Sequence, residues 1–299
     1  MRTKESIGVR MHQYRACYAM ILPFFLLFGI FIVLPIGIAV IFSFTDFNML
    51  EWPGLVGIEN YIKLFLEDDV FLVAVRNTLI FAVITGPVSY FACLLFAWLI
   101  NELDRRVRAV MTFFFYAPSI SGTLYVMWSY IFSGDMYGWL NYLLMSMNLI
   151  SEPVQWLSDP YLVIPSLVFM GFPWVGAFGV LIYLAGLQGI SEDIYEAADL
   201  DGAGPLTVFF RIELPLIMTQ VRINLVLMII GTIQSWQNIY LFLGIDGGPD
   251  GIATVPGLLI FREAFSRGLF GYGCAIGFVI FAVTLALTLI NNKLVRINK

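Results

Sequence analysis

Apolar stretches long enough to cross a bilayer constrain this chain more than any other feature. A hydrocarbon core about 30 Å thick needs about 20 residues of helix. Six stretches nearly free of charge reach that length: Cys17–Phe44, Phe71–Ile100, Val110–Phe132, Tyr161–Leu187, Leu216–Gly244 and Tyr272–Asn292. None alternates apolar and polar side chains, which excludes a β-barrel. The chain is therefore read as an all-α polytopic membrane protein with six transmembrane helices. One membrane domain, 17–292, lies between an N-terminal segment, 1–16, and a tail, 293–299. The first stretch runs 28 residues through Pro23 and Pro35 without a small-residue cleavage site, so it is expected to be a retained span and not a signal peptide. Composition agrees: 60% hydrophobic against 12% charged residues excludes an ordinary soluble domain. A net charge of −5 gives no basic face for nucleic acid. Cys17, Cys93 and Cys274 are far apart and fall in or beside apolar runs, so they read as small apolar residues.

Basic residues set the orientation, because Lys and Arg near helix ends stay in the cytoplasm. Arg2, Lys4, Arg10, Arg15, Arg105, Arg106, Arg108, Arg211, Arg222, Lys293, Arg296 and Lys299 fall on one side, which is 12 of the 16. The other side holds Lys63, Arg76, Arg262 and Arg267. Both termini are predicted to be cytoplasmic. The outer loops are then about 45–70, 133–160 and 245–271, with Glu67, Asp68 and Asp69 as their densest acidic cluster.

Several chemistries lack their residues. Lys4, Lys63, Lys293 and Lys299 follow Thr3, Ile62, Asn292 and Asn298, so there is no Walker A phosphate loop. His12 is the one histidine and stands in the basic N-terminal segment, which leaves a zinc site or a histidine-based triad without partners. No serine lies in G-x-S-x-G. The six stretches contain no Asp, Glu or Lys, whereas ion-driven carriers often place ionisable groups at membrane depth. No metal and no cofactor is expected on this chain.

The segment between the fourth and fifth stretches, 188–215, differs from the other cytoplasmic parts. Glu192, Asp193, Glu196, Asp199, Asp201 and Glu213 stand against Arg211 alone, a local net of −5. An anionic inner leaflet would attract a basic helix, so this acidic one is not a surface anchor. Ser191 before Glu192 and Asp193 predicts an N-cap and a helix to about Leu200. Ile194, Ala197 and Ala198 fall at i, i+3 and i+4, a face of small apolar side chains that lets a partner approach. Gly202 is placed to end that helix, and Gly204-Pro205 to start a second whose Leu206, Phe209 and Phe210 form another apolar face. A helix-turn-helix with an exposed apolar face and an acidic rim is a docking element.

Glu196-Ala197-Ala198, three residues, Gly202, nine residues, Ile212, one residue and Leu214-Pro215 resemble the EAA loop of ABC-importer permeases at every defined position. The resemblance implies that this loop is a coupling helix seated in a groove of a separate ATPase subunit, with ATP and Mg used by that partner. It implies further partners: a second homologous permease, two copies of the ATPase and an extracellular or periplasmic solute-binding protein, in the bacterial plasma membrane. Gly57, Asn60-Tyr61, Asn77-Thr78, Tyr183 to Gln188 and Gly247-Gly248-Pro249 are similar to features of carbohydrate-uptake permeases. Ala117-Pro118, where a Pro-Trp pair is frequent, and Asp250-Gly251 after the last motif depart from that pattern.

Sugar recognition pairs aromatic faces with amides and hydroxyls in a largely pre-formed pocket. Gln234, Gln237 and Asn238 fall at i, i+3 and i+4 in the fifth stretch, with Trp236 and Tyr240 beside them. Such a polar stripe faces protein or water and not lipid. Two readings stay open: the wall of a translocation path, or interhelical hydrogen bonds that hold two permeases together. Tyr116 and Ser119 around Pro118, and Trp174 beside Pro173, are further candidates that serve packing equally well. Three alternatives stand beside a sugar importer: an ABC permease for a polyol phosphate, amino acid or peptide, an ion-driven secondary carrier, and a membrane-embedded enzyme.

Overall fold

The computed structural model describes residues 14–120, 124–171 and 176–294. Among these all the regular secondary structure is helical; the one β contact is an isolated antiparallel bridge between Thr45 and Leu55. Among the described residues four helical segments are long and apolar enough to cross a bilayer: α1 (Arg15–Phe42), α2 (Asp69–Asn101), Met218–Leu243, which is interrupted once, and the last helix, from Phe270. They match the first, second, fifth and sixth apolar stretches to within two residues at each end.

The third stretch is helical on both sides of residues 121–123, and the first helix of the fourth ends at Phe169 with Met170 as its cap. The third comprises α3 (Arg105–Ile120) and α4 (Leu124–Ile131). It starts five residues before the apolar stretch, because backbone hydrogen bonding continues through Arg105, Arg106 and Arg108 where hydropathy does not. A short α5 (Trp139–Ser146) follows in the loop. The fourth comprises α6 (Val163–Phe169) and α7 (Ala177–Leu187). Then come α8 (Glu192–Leu200), α9 (Met218–Ile233), α10 (Gln237–Leu243), α11 (Pro256–Phe261) and α12 (Phe270–Leu294).

α2 organises the molecule. Its 33 residues span about 50 Å at 1.5 Å per residue. Asp68 caps its start by accepting from the backbone N–H groups of Val70 and Phe71 at 2.9 and 3.1 Å. At the other end the Arg108 guanidinium donates to the carbonyls of Asn101 and Leu103 at 2.7 and 3.0 Å, satisfying acceptors that the helix leaves open. α7 and α9 lie along α2. Gly179 and Gly186 of α7 let the backbones close up: an added Cβ would stand 3.1 Å from Cys93 Sγ and 2.8 Å from the Gln220 side chain. Cys93, Leu94 and Ala97 of α2 pack there with Val180, Tyr183 and Leu187 of α7.

Two smaller cores occupy the opposite end, where Leu64 and Phe71 meet Leu259, Tyr272 and Ile276, and Val163 meets Ile239, Val255 and Leu258. Several residues that carried the family resemblance act here as clamps. Asn60 Nδ2 donates to the carbonyls of Ser43 and Thr45, both at 2.9 Å, closing the end of α1. Tyr61 Oη bonds to Ser43 Oγ at 2.6 Å. Asn77 Nδ2 reaches the carbonyls of Ile252 and Thr254 at 2.6 and 2.8 Å, fixing the 245–255 loop to the start of α2. Segments 45–70 and 245–271 thus gather at one end of α2, and segment 188–215 gathers at the other. α1 contributes no buried residue, so its apolar surface is open to lipid or to another chain.

Candidate coupling loop and translocation segment

α8 ends as the sequence requires. Gly202 has φ +69°, Gly202 N–H donates to the Asp199 carbonyl and Ala203 N–H to the Ala198 carbonyl, both at 3.0 Å. That pair of bonds is the Schellman arrangement, which needs a left-handed residue at this position. No atom lies within 4 Å of a Cβ built on Gly202, so backbone conformation alone selects glycine. The start of α8 differs from expectation. Ser191 sits at the N-cap with extended backbone, but its hydroxyl donates to Asp193 Oδ2 at 3.2 Å and caps no backbone N–H. The carboxylate two residues on outcompetes the amide.

The loop's two faces are sorted by burial. Outward lie Leu200, 90% exposed, Leu206, 64%, Phe210, 61%, and Ile194, 36%, with Glu196 and Ala197 also exposed. Inward lie Tyr195, half-buried, Ala198, 5% exposed, and Phe209, whose ring packs 4.9 Å from Trp98 of α2 at 49°. Ala198 and Phe209, counted above among docking residues, therefore face this chain's own membrane body. The reason is periodicity: α8 has two apolar edges, and the i, i+3 pair Tyr195 and Ala198 takes the inner one. Leu200, exposed among the described residues, was not singled out from the sequence; its signal is a leucine in the last turn of an otherwise acidic helix.

Tyr195 Oη donates to Glu213 Oε1 at 2.8 Å. Glu213 is 1% exposed, and its Oε2 makes no hydrogen bond among the described residues. Burial pushes this carboxyl above the usual carboxylate range; hydrogen bonds from Tyr195 and Trp98 oppose the shift and Glu102, at the end of α2, adds to it. Burial and the same carboxyl push the Tyr195 phenol upward. Beside α8 an open cleft of about 960 Å³ is lined by Arg105 and Arg108 of α3, Asn101, Gln188, Glu192 and Tyr195. The acidic loop thus stands against the basic start of α3.

The fifth stretch breaks where its polar residues fall. α9 ends at Ile233, α10 begins at Gln237, and Trp236 between them has φ −133° and ψ −21°. Gln234, Gln237 and Asn238 are all exposed, but they do not share the single helical face that i, i+3, i+4 spacing implies. The break supersedes that reading: Gln234 closes one helix, while Gln237 and Asn238 open the next. Unwound backbone at membrane depth is tolerated only where protein or a water-filled cavity covers it. Trp236 is largely engaged within the chain: its ring stacks on Phe261 at 5.1 Å and 26°, and meets Tyr240 edge-on at 5.9 Å. Tyr116 meets Phe178 edge-on at 6.0 Å. The Ser119 side chain and Trp174 lie outside the described residues.

Long apolar helices, an acidic loop with an exposed apolar face and an interrupted fifth helix define a polytopic membrane transport component. The chain belongs to the family described as binding-protein-dependent transport system inner membrane component, which matches residues 89–297. It is 30% identical over 290 residues to the probable ABC transporter permease protein YesP of Bacillus subtilis, covering 96% of this chain and 92% of that one. It is 31% identical to the trehalose/maltose transport system permease protein MalF of Thermococcus litoralis, covering 94% of each. Its fold matches a chain of a bacterial ABC transporter involved in the import of the acidic polysaccharide alginate, with a TM-score of 0.81, 24% identity and coverage of 98% and 99%.

Proposed function

We propose that this chain is the permease subunit of a bacterial ABC importer for a sugar or oligosaccharide, with six spans and both termini in the cytoplasm. The observation that carries the reading is segment 188–215, where a complete EAA pattern is folded into a helix with Leu200, Leu206 and Phe210 exposed beside Glu196 and Ala197. An exposed apolar strip with an acidic rim suits a groove on another protein. In this reading two copies of a cytoplasmic ATPase bind ATP and Mg and take up this loop, one of them on this chain. A second homologous permease completes the path, with α1 as part of the surface it covers. A solute-binding protein delivers cargo to the outer end.

The position of the loop supports this orientation: it lies at the end of α2 that carries Arg105 and Arg108, the side where basic residues accumulate. Residues 34–42 contact α12, and the Gly271 N–H donates to the Phe47 carbonyl just beyond α1, so the end of α1 stands near the beginning of α12, which supports both termini at the loop's end. Carbohydrate cargo is supported by relatives named for trehalose and maltose, lactose and arabinooligosaccharides. The break at 234–236 is the wall of the path, with Gln234, Gln237 and Asn238 as amides for sugar hydroxyls. Transport is mechanical. Closure of the ATPase dimer moves the docked loop and tilts the spans so that the path opens to one side at a time.

Affinity purification from the native membrane, with every co-purifying chain identified and ATP hydrolysis assayed, tests the reading. Recovery with a P-loop ATPase and a second six-span chain is the expected outcome. The co-purifying or co-encoded binding protein, screened against sugars, then reports the cargo. Recovery alone at every detergent strength returns the secondary carrier to first place.

A further inference from the structure

We infer that Tyr195 and Glu213 are positioning residues that make the coupling helix and the root of the fifth span move as one body. This inference rests on the docking reading above. The segment joining the two residues runs over the surface: Asp201, Gly202, Gly204, Pro205 and Leu206 are exposed. A chain path of that kind transmits force poorly, because its conformation is held by few contacts. What ties α8 directly to the membrane body is the 2.8 Å hydrogen bond from Tyr195 Oη to Glu213 Oε1, across 18 residues of sequence.

Glu213 is well placed for that role. It is 1% exposed, it ends the π-helical turn Phe209–Glu213, and its carbonyl accepts from Ile217 N–H at 2.9 Å, one residue before α9 begins. Ile217 is itself 1% exposed and sits in the core with Leu184 and Leu187 of α7. A displacement of Tyr195 therefore pulls on a buried group that is continuous with α9, and α9 leads to the break at Gln234–Trp236. The apolar contacts made by Ala198 and Phe209 hold the loop in place, but they are not directional. A hydrogen bond from a phenol to a buried carboxyl is: losing the Tyr195 donor leaves a desolvated carboxyl underpaired, with the Trp98 indole as its remaining donor.

Tyr195→Phe, Glu213→Gln and Glu213→Ala separate the possibilities, because glutamine keeps an oxygen for Tyr195 to donate to and alanine does not. Each is built into the complete transporter in a background where Cys17, Cys93 and Cys274 are replaced by alanine and Ser235→Cys reports on the break. The probe is a water-soluble methanethiosulfonate reagent. Its labelling rate at position 235 is compared without nucleotide and after trapping with ATP and orthovanadate, and ATP hydrolysis is measured in parallel. In the otherwise unchanged transporter trapping is expected to alter the rate about fivefold or more. Tyr195→Phe and Glu213→Ala are expected to shrink that change to less than about twofold while hydrolysis and ATPase retention persist, and Glu213→Gln to keep most of it. A full trapping response in Tyr195→Phe, or no response with Tyr195 and Glu213 intact, overturns the inference. Loss of the ATPase from Tyr195→Phe also overturns it, since the pair then serves assembly and not transmission. Failure of the docking reading would look different: no ATPase would be retained even with the loop unaltered.

Discussion

Replacing Gly202 isolates the backbone contribution to the coupling turn. With φ at +69° and open space around a built Cβ, a substitution meets no steric contact, and the cost is that of a left-handed L-residue. That cost is about 1–2 kcal/mol for alanine and less for asparagine, whose short polar side chain tolerates the conformation. Since 1.4 kcal/mol is a factor of ten, Gly202→Ala is expected to depopulate the turn about 5- to 30-fold, and Gly202→Asn no more than about threefold. The turn sets where Leu206 and Phe210 stand relative to Leu200, so the same factors are expected in the amount of ATPase needed to half-saturate the purified permease. Thermal unfolding of the permease alone, measured alongside, separates a loss of docking from a loss of fold. A β-branched residue or a bulky acid is expected to do worse than alanine and to uncouple uptake from insertion. Equal binding by the parent, Gly202→Ala and Gly202→Asn would refute the argument, and so would equal loss in both variants.

Three further expectations concern stability and pH. Gly271→Ala puts a Cβ 2.1 Å from the Thr45 carbonyl oxygen, a backbone atom that cannot rotate away, so a loss of about 3 kcal/mol or more is expected as a lowered unfolding temperature in detergent. Asn60→Ala removes the donor to the Ser43 and Thr45 carbonyls and is expected to cost about 1–3 kcal/mol by the same assay, without weakening ATPase binding at the far end of α2. The raised Glu213 carboxyl fixes the sign of a pH effect. Its contribution is complete below the unfolded carboxyl pKa of about 4.3 and is lost as pH rises through the folded value. The unfolding temperature of the parent minus that of Glu213→Gln should therefore fall as pH rises from 4 through that range, and a flat difference would remove the premise. Tyr195 and Glu102 are the titratable groups facing it.

Most of the architecture was legible because membrane spans are written in composition. A run such as Phe71–Ile100 needs no partner to be recognised, and its helix, Asp69–Asn101, extends only one or two residues further at each end. The helix end at Gly202 was legible as well, since that glycine answers a local backbone requirement that sequence states directly. What sequence could not state was which apolar edge of α8 faces inward. Ile194, Ala197 and Ala198 satisfy one periodic face, but the inner edge is set by tertiary contacts of Tyr195 with Glu213 and of Phe209 with Trp98, which local periodicity does not state. The break at Gln234–Trp236 escaped for a related reason. No proline or glycine marks it within those three residues, and Trp236 is drawn out of the helix by stacking on Phe261 and by the close approach of Gly257, where a Cβ would stand 2.6 Å from the indole. Two of the weaker family features have a structural part that sequence did not state: Asn60 and Asn77 fasten loops by hydrogen bonds to backbone carbonyls.

Cysteine cross-linking shows directly which side chains of segment 188–215 meet an ATPase. In the background lacking Cys17, Cys93 and Cys274, single cysteines at the outward positions Leu200, Leu206 and Phe210 and at the inward positions Ala198 and Phe209 are treated with a short bifunctional maleimide in native membranes. The expected result is an adduct with a P-loop ATPase from the three outward positions and little or none from the two inward ones. No ATPase adduct from Leu200, Leu206 or Phe210, in membranes where the protein is inserted and the cysteines react with a monofunctional maleimide, would contradict the assignment of this loop as the coupling element.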